Sequence, residues 1–89
     1  MEELTLTLSE LLTEAAAAAS LGDRAEAERL FRRATERSPG NSTAWLGLAA
    51  AVESPAEKRA CYEQTLAINP NNGEARIALQ RLAHAAAPQ

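Results

Sequence analysis

One pattern occurs twice in this 89-residue chain, and it limits what the chain can fold into. Leu30-Phe31-Arg32-Arg33-Ala34 leads to Ser38-Pro39-Gly40-Asn41, and Cys61-Tyr62-Glu63-Gln64-Thr65 leads to Asn69-Pro70-Asn71-Asn72. In both copies an aromatic residue is followed three positions later by a small one, then by proline and asparagine in step. A new stretch then opens with alanine near its start: Ala44-Trp45-Leu46-Gly47-Leu48-Ala49, and again Ala75-Arg76-Ile77-Ala78-Leu79. A recurring unit of roughly thirty residues is the signature of a solenoid, because one unit cannot bury its apolar face alone and a stack of units can.

Composition makes each unit helical. Alanine is abundant, and β-branched and aromatic residues are scarce, which favours helix over strand in nearly every window. Breaks fall at Gly22-Asp23, Pro39-Gly40-Asn41, Ser54-Pro55 and Pro70-Asn71-Asn72-Gly73. Each break carries helix-start chemistry. Thr7 with Glu10 fits a capping box, and Leu6 with Leu11 stands where a hydrophobic staple would. Asp23 with Glu26 is the acidic version. Ser54 precedes Pro55 at a first helical position, with Glu57 behind it, and Asn71 with Glu74 repeats the pattern. The spacing predicts helices over Leu8–Leu21, Arg24–Ser38, Ser42–Glu53, Pro55–Asn69 and Asn72–Ala85. Links this short make neighbours antiparallel. The expected fold is therefore all-α, five helices stacked as hairpins in one domain over 8–85. Residues 1–7 are expected to be flexible and residues 86–89 frayed.

The same numbers exclude several functions. The length allows one domain with a modest core, too short for cofactor-sized sites on doubly wound sheets or barrels. Apolar residues are 46% and charged ones 24%, ordinary for a folded domain. No apolar run approaches the ~20 residues of a membrane span. The opening Met1-Glu2-Glu3-Leu4 has no basic region, so the expectation is a cytoplasmic chain without a secretion signal. One cysteine forms no internal staple, and there is no metal quartet. A net charge of −3 argues against nucleic acid. Arg29, Arg32, Arg33 and Arg37 cluster, but glutamates interleave them, and Glu28 is spaced to pair with Arg32. No nucleophile–base pair, metal motif or glycine-rich phosphate loop is present, so neither catalysis nor a cofactor is expected. Cys61 reads as a buried, inert thiol and His84 as a solvated side chain.

The chain resembles the tetratricopeptide repeat family. Trp45, Leu48, Ala49 and Val52 are similar to that family's first-helix pattern. Gly22-Asp23-Arg24-Ala25-Glu26-Ala27, then Phe31, Ala34 and Pro39, match its turn and second helix, and Tyr62, Leu66, Ile68 and Pro70 match the second helix again. The resemblance covers about Leu8 to Ala85. It implies a right-handed α-solenoid of about two and a half repeats: 8–41, a shortened 42–72, and a terminal capping helix over 73–85. Leu11 and Glu14 depart from the pattern, as do Lys58 in place of a packing alanine and Arg76 in place of a bulky aromatic. The short Ser54-Pro55 turn and the Asn69-Pro70-Asn71-Asn72 end are similar to degenerate bacterial repeats.

The resemblance also implies a role. First helices of successive repeats in the family line a concave groove that holds peptides. The corresponding residues here are Ser9, Leu12, Thr13, Ala16, Thr43, Leu46, Gly47, Ala50, Glu53, Ile77 and Arg81. One subset of the family grips C-terminal carboxylates with lysine and asparagine at such places, and neither residue type occurs in this set. The expected groove is small and apolar, with Leu12, Leu46 and Ile77 in a line, and its expected partner is a protein or peptide. Phe31, Trp45 and Tyr62 read as core rather than as a cation cage. In the last helix, Ala75, Leu79 and Leu82 form one apolar stripe, and Ile77 lies on another face. A homodimer through that helix or through the groove is the alternative reading.

Overall fold

The computed structural model describes residues 6–86. Five helices follow in order: α1 Leu8–Ser20, α2 Arg24–Arg37, α3 Ser42–Ala51, α4 Pro55–Ile68 and α5 Gly73–Ala86. Their starts are set by local chemistry. The Thr7 hydroxyl accepts from the Glu10 N–H at 3.1 Å, and the Glu10 carboxylate accepts from the Thr7 N–H at 2.8 Å, so the capping box is complete. Asp23, Asn41 and Ser54 each accept from the N–H three residues on, at 3.2, 2.9 and 3.3 Å. These bonds satisfy donors that a helix start leaves without partners.

The fifth start differs from the expected one. Asn72 caps α5, not Asn71: its side-chain oxygen accepts from the Ala75 N–H at 2.8 Å. The reason is the repeat itself. Asn41 and Asn72 occupy the same place in two copies of one turn, each donating its own N–H to a carbonyl three residues back, Ser38 or Asn69, at 3.0 Å. The likeness extends to side chains. Trp45 donates from Nε1 to the Pro39 carbonyl at 2.8 Å, and Arg76 donates from a guanidinium nitrogen to the Pro70 carbonyl at 2.9 Å. Arg76 thus replaces the aromatic while keeping its hydrogen bond.

The ends are equally specific. After α1, Gly22 adopts φ +83°, a left-handed conformation that costs glycine little. Its N–H donates to the Ala19 carbonyl at 3.1 Å, and the Asp23 N–H donates to Ala18 at 2.9 Å, the paired bonds of a Schellman motif. Helix α3 stops at Ala51, two residues before the expected end. Pro55 disfavours helical geometry at Ser54, whose ψ is 125°. Val52 turns out of the helix at ψ 157° and is buried. Lys58, the departure from the family pattern, donates from Nζ to the Ala49 carbonyl at 2.9 Å. It fills an acceptor that the end of α3 leaves open and places a positive charge at the negative end of the helix.

Packing follows chain order: α1 on α2, α2 on α3, α3 on α4 and α4 on α5, with a lighter contact between α1 and α3. The stack measures 56 × 26 × 18 Å. Its core runs through Leu11 and Ala15, Ala27, Leu30, Phe31 and Ala34, Ala44, Leu48 and Ala49, Val52 and Cys61. So many buried alanines let neighbouring backbones approach closely. Trp45 and Tyr62 are half-buried and pack against this cluster. Thr65 is fully buried, and its hydroxyl donates to the Cys61 carbonyl at 2.9 Å, so burial leaves no polar group unsatisfied there. Ala75 of α5 is fully buried, while Leu79 and Leu82 are half-buried.

Leu6 packs against the core, its carbonyl accepting from Arg37, and Thr7 caps α1. These two residues therefore join the folded unit, and Ala86 closes α5. The rest of the segments expected to be flexible or frayed, 1–5 and 87–89, lies outside the described residues.

Candidate partner-binding groove

Helices α1 and α3 lie side by side with α2 behind them, and together they leave a groove of about 370 Å³. Ala16 and Ala19 line it from α1, Gly47 and Ala50 from α3, and Phe31 from α2. Each of these side chains is small except the ring, and the ring fits because an atom is missing opposite it. A Cβ built on Gly47 would lie 2.2 Å from Cε1 of Phe31. Glycine inside a helix costs about 1 kcal/mol relative to alanine, so the close approach of the ring explains its presence. Arg24 stands at the rim and pairs with Glu53 at 3.3 Å. Both side chains are well exposed, so the pair is a weak tie. The other lining residues carry no charge.

The expected partner-site residues separate into several places. Ala16 and Ala50 line the groove, with Gly47. Leu12 and Leu46 are half-buried, and Leu12 packs against the core. Thr43 is exposed in the first turn of α3, outside the groove lining. Thr13 lines a shallow recess between α1 and α2 with Leu21 and Leu30. Ile77 and Arg81 line a hollow on α5 with Gln80 and His84. The line of Leu12, Leu46 and Ile77 therefore divides: two members are half-covered by the stack, and Ile77 is 50% exposed. Phe31 and Ala27, both on a second helix, were absent from the expected set. The signal that could have found them is Gly47, a mid-helix glycine that marks close approach.

Several charges of α2 are engaged. Arg29 pairs with Glu26 at 2.7 Å, and Arg32 reaches Glu28 at 2.6 Å and Glu57 at 3.3 Å. The hydrogen bond from Arg29 holds the Glu26 carboxyl below the usual range. Burial pushes the Cys61 thiol up, and the charge of Glu57 adds to the effect. Burial also raises the Tyr62 phenol, with Glu74 contributing. Among the described residues, no cluster of three His, Cys, Asp or Glu side chains is placed to hold a metal ion. No described helix is long and apolar enough to cross a membrane.

Residues 8–51, which comprise α1, α2 and α3, match the tetratricopeptide repeat family model. No curated protein matches the chain. The turn at Asn41 recurs at Asn72, and the Trp45 hydrogen bond recurs at Arg76, so the repeat continues past the matched residues. With that match and five helices stacked in chain order, the chain belongs to the tetratricopeptide repeat family.

Proposed function

We propose that this chain is a non-catalytic interaction module that holds a peptide or short helix of a protein partner against the groove between α1 and α3. Tetratricopeptide repeats generally mediate protein–protein interaction, and the fold supplies that coarse function. The observation that carries the finer reading is the groove lining: alanine, glycine and one aromatic ring, with its single rim charge tied to Glu53. Apart from the Arg24 guanidinium, which Glu53 engages, such a surface has no cation and no amide set to replace the water around a carboxylate, so the occupant is apolar. At about 370 Å³ the groove stands near the small end of ligand pockets, which run from about 300 to 1,000 Å³. It has room for one bulky aliphatic or aromatic side chain.

Magnitudes shape the expectation. Burying one such side chain yields about 1.5–3 kcal/mol, far short of the ~8 kcal/mol of a micromolar complex. The partner must therefore continue beyond the groove, over the exposed surface at Thr43 and along the half-buried Leu46. The test is selection of a displayed random peptide library against the whole chain, with Ala50→Arg as the counter-target. Ala50 is exposed, so the variant keeps its helices, which circular dichroism checks. Selected peptides should share a bulky apolar anchor and lose at least about tenfold in affinity for Ala50→Arg, the loss of ~1.4 kcal/mol of anchor burial. Peptides that bind the folded variant equally well, or that depend on a free C-terminal carboxylate, would refute the reading.

A further inference from the structure

Helix α5 carries an open strip. Glu74, Ile77, Arg81 and His84 follow one another in steps of three and four residues, the spacing with which one helix meets another along a seam. All four are exposed, and Ala78 beside Ile77 is half-buried. The opposite face of the helix is already occupied, since Ala75 is fully buried and α5 packs on α4. Among the described residues, Glu74, Arg81 and His84 take part in no ion pair.

The order of charges is the informative feature. Glu74 and Arg81 stand symmetrically about the Ile77–Ala78 pair, each about 5 Å along the helix axis from its midpoint. An antiparallel copy of the same helix, related by a two-fold axis through that midpoint, brings Glu74 level with the partner's Arg81. The same operation repeats the pair on the other side and sets Ile77 over the partner's Ala78, a large side chain against a small one. A parallel copy would set like charges level with each other instead. We propose that this strip is a homodimer seam, occupied by α5 of a second copy packed antiparallel about that axis, the self-complementary arrangement of a two-fold interface. The proposal does not rest on the groove reading, because Ile77 and Arg81 do not line the groove between α1 and α3.

One helix face is small. It falls well below the ~1,200 Å² of standard stable interfaces, so the dimer is weak, with a dissociation constant of order 10⁻⁴ M. The test is sedimentation equilibrium of the whole chain from roughly 10 μM to 1 mM at low salt, where exposed charges are least screened. The unmodified chain should pass from monomer to dimer over this range. Glu74→Arg and Arg81→Glu should each weaken the dimer by about tenfold, because each turns two attractive pairs into two repulsive ones. The double variant Glu74→Arg with Arg81→Glu should return to within about threefold of the original, since the swap restores both pairs. Ile77→Glu should leave a monomer. All these side chains are exposed, and circular dichroism verifies that each variant keeps its helices. Ala50→Arg should leave dimerisation unchanged, which separates failure of this proposal from failure of the groove reading. A monomer at every concentration, a dimer indifferent to the single reversals, or a double variant no tighter than the singles would each overturn the proposal.

Discussion

The approach of the Phe31 ring to Gly47 gives a sharp test of the fold. Replacing Gly47 with alanine adds one methyl group, and ordinary helix energetics favour the change by about 1 kcal/mol. The structure opposes it. The new Cβ would lie 2.2, 2.4 and 2.6 Å from three ring atoms of Phe31, where carbon atoms at rest keep about 3.5–4.0 Å. The ring must retreat by more than ~1 Å. Phe31 is 8% exposed and belongs to the core cluster, so retreat displaces neighbours or drives the ring into the groove. Forced repacking of this kind costs about 1–3 kcal/mol, and here it stands at the upper end. The net effect of Gly47→Ala is a destabilisation of about 1–2 kcal/mol, measured by urea unfolding, and a fall in Tm of about 4–8 °C per kcal/mol for a domain this size. Gly73→Ala is the control: no heavy atom lies within 4 Å of its added Cβ, and its φ is not positive. It should be neutral or stabilising by up to about 1 kcal/mol. Combining Gly47→Ala with Phe31→Leu should recover part of the loss, a coupling of about 0.5–3 kcal/mol between touching residues. If Gly47→Ala stabilises the chain as much as Gly73→Ala does, the ring is not against Gly47 and the described groove is wrong.

Three further expectations concern single side chains. Trp45→Phe keeps a ring and removes the donor to the Pro39 carbonyl, so it should cost about 0.5–1.5 kcal/mol in chemical denaturation. Glu26 should titrate below the ordinary glutamate range in an NMR pH series, and Arg29→Ala should move it back toward that range. Its folded pKa is lowered, so the stability it contributes is present at neutral pH and disappears as pH falls through that lowered value. Cys61 should resist an aromatic disulfide reagent at pH 8 in the folded chain and react at the rate of unfolding, because burial both shields the thiol and raises its pKa.

What could be read in advance depended on how local its cause was. Thr7 with Glu10, Asp23 with Glu26, and Ser54 before Pro55 are interactions within a few residues, and the helix starts they set agree with the expected ones. The α5 start lies one residue later than the spacing predicts, because Asn71 and Asn72 are adjacent and chemically identical. What separates them is the backbone of the preceding turn, where the Asn72 N–H donates to the Asn69 carbonyl. The early end of α3 needed two causes together, the restriction imposed by Pro55 and the burial of Val52. Lys58 looked like a departure from a packing position, and its purpose appears only when Ala49 is seen to end nearby with an open carbonyl.

The groove was less legible for the same reason. Family resemblance placed Ala16, Gly47 and Ala50 on one surface, and these three share one lining. It also named Leu12 and Leu46, whose exposure is decided by how closely α1, α2 and α3 approach one another. That distance is set by alanines on all three helices and by the Phe31 ring over Gly47, not by the leucines themselves. Phe31 reads as core in the sequence, and its second face is not visible there, since a core ring that also lines a groove has no separate sequence signature.

The most direct test of the groove between α1 and α3 as the partner site is to map, by NMR chemical-shift changes on the whole isotope-labelled chain, where the tightest selected peptide binds. The largest changes should fall on the amides of Ala16, Ala19, Gly47 and Ala50, with ring-proton changes at Phe31. Changes centred instead on the arginine face of α2, or confined to α5, would contradict it.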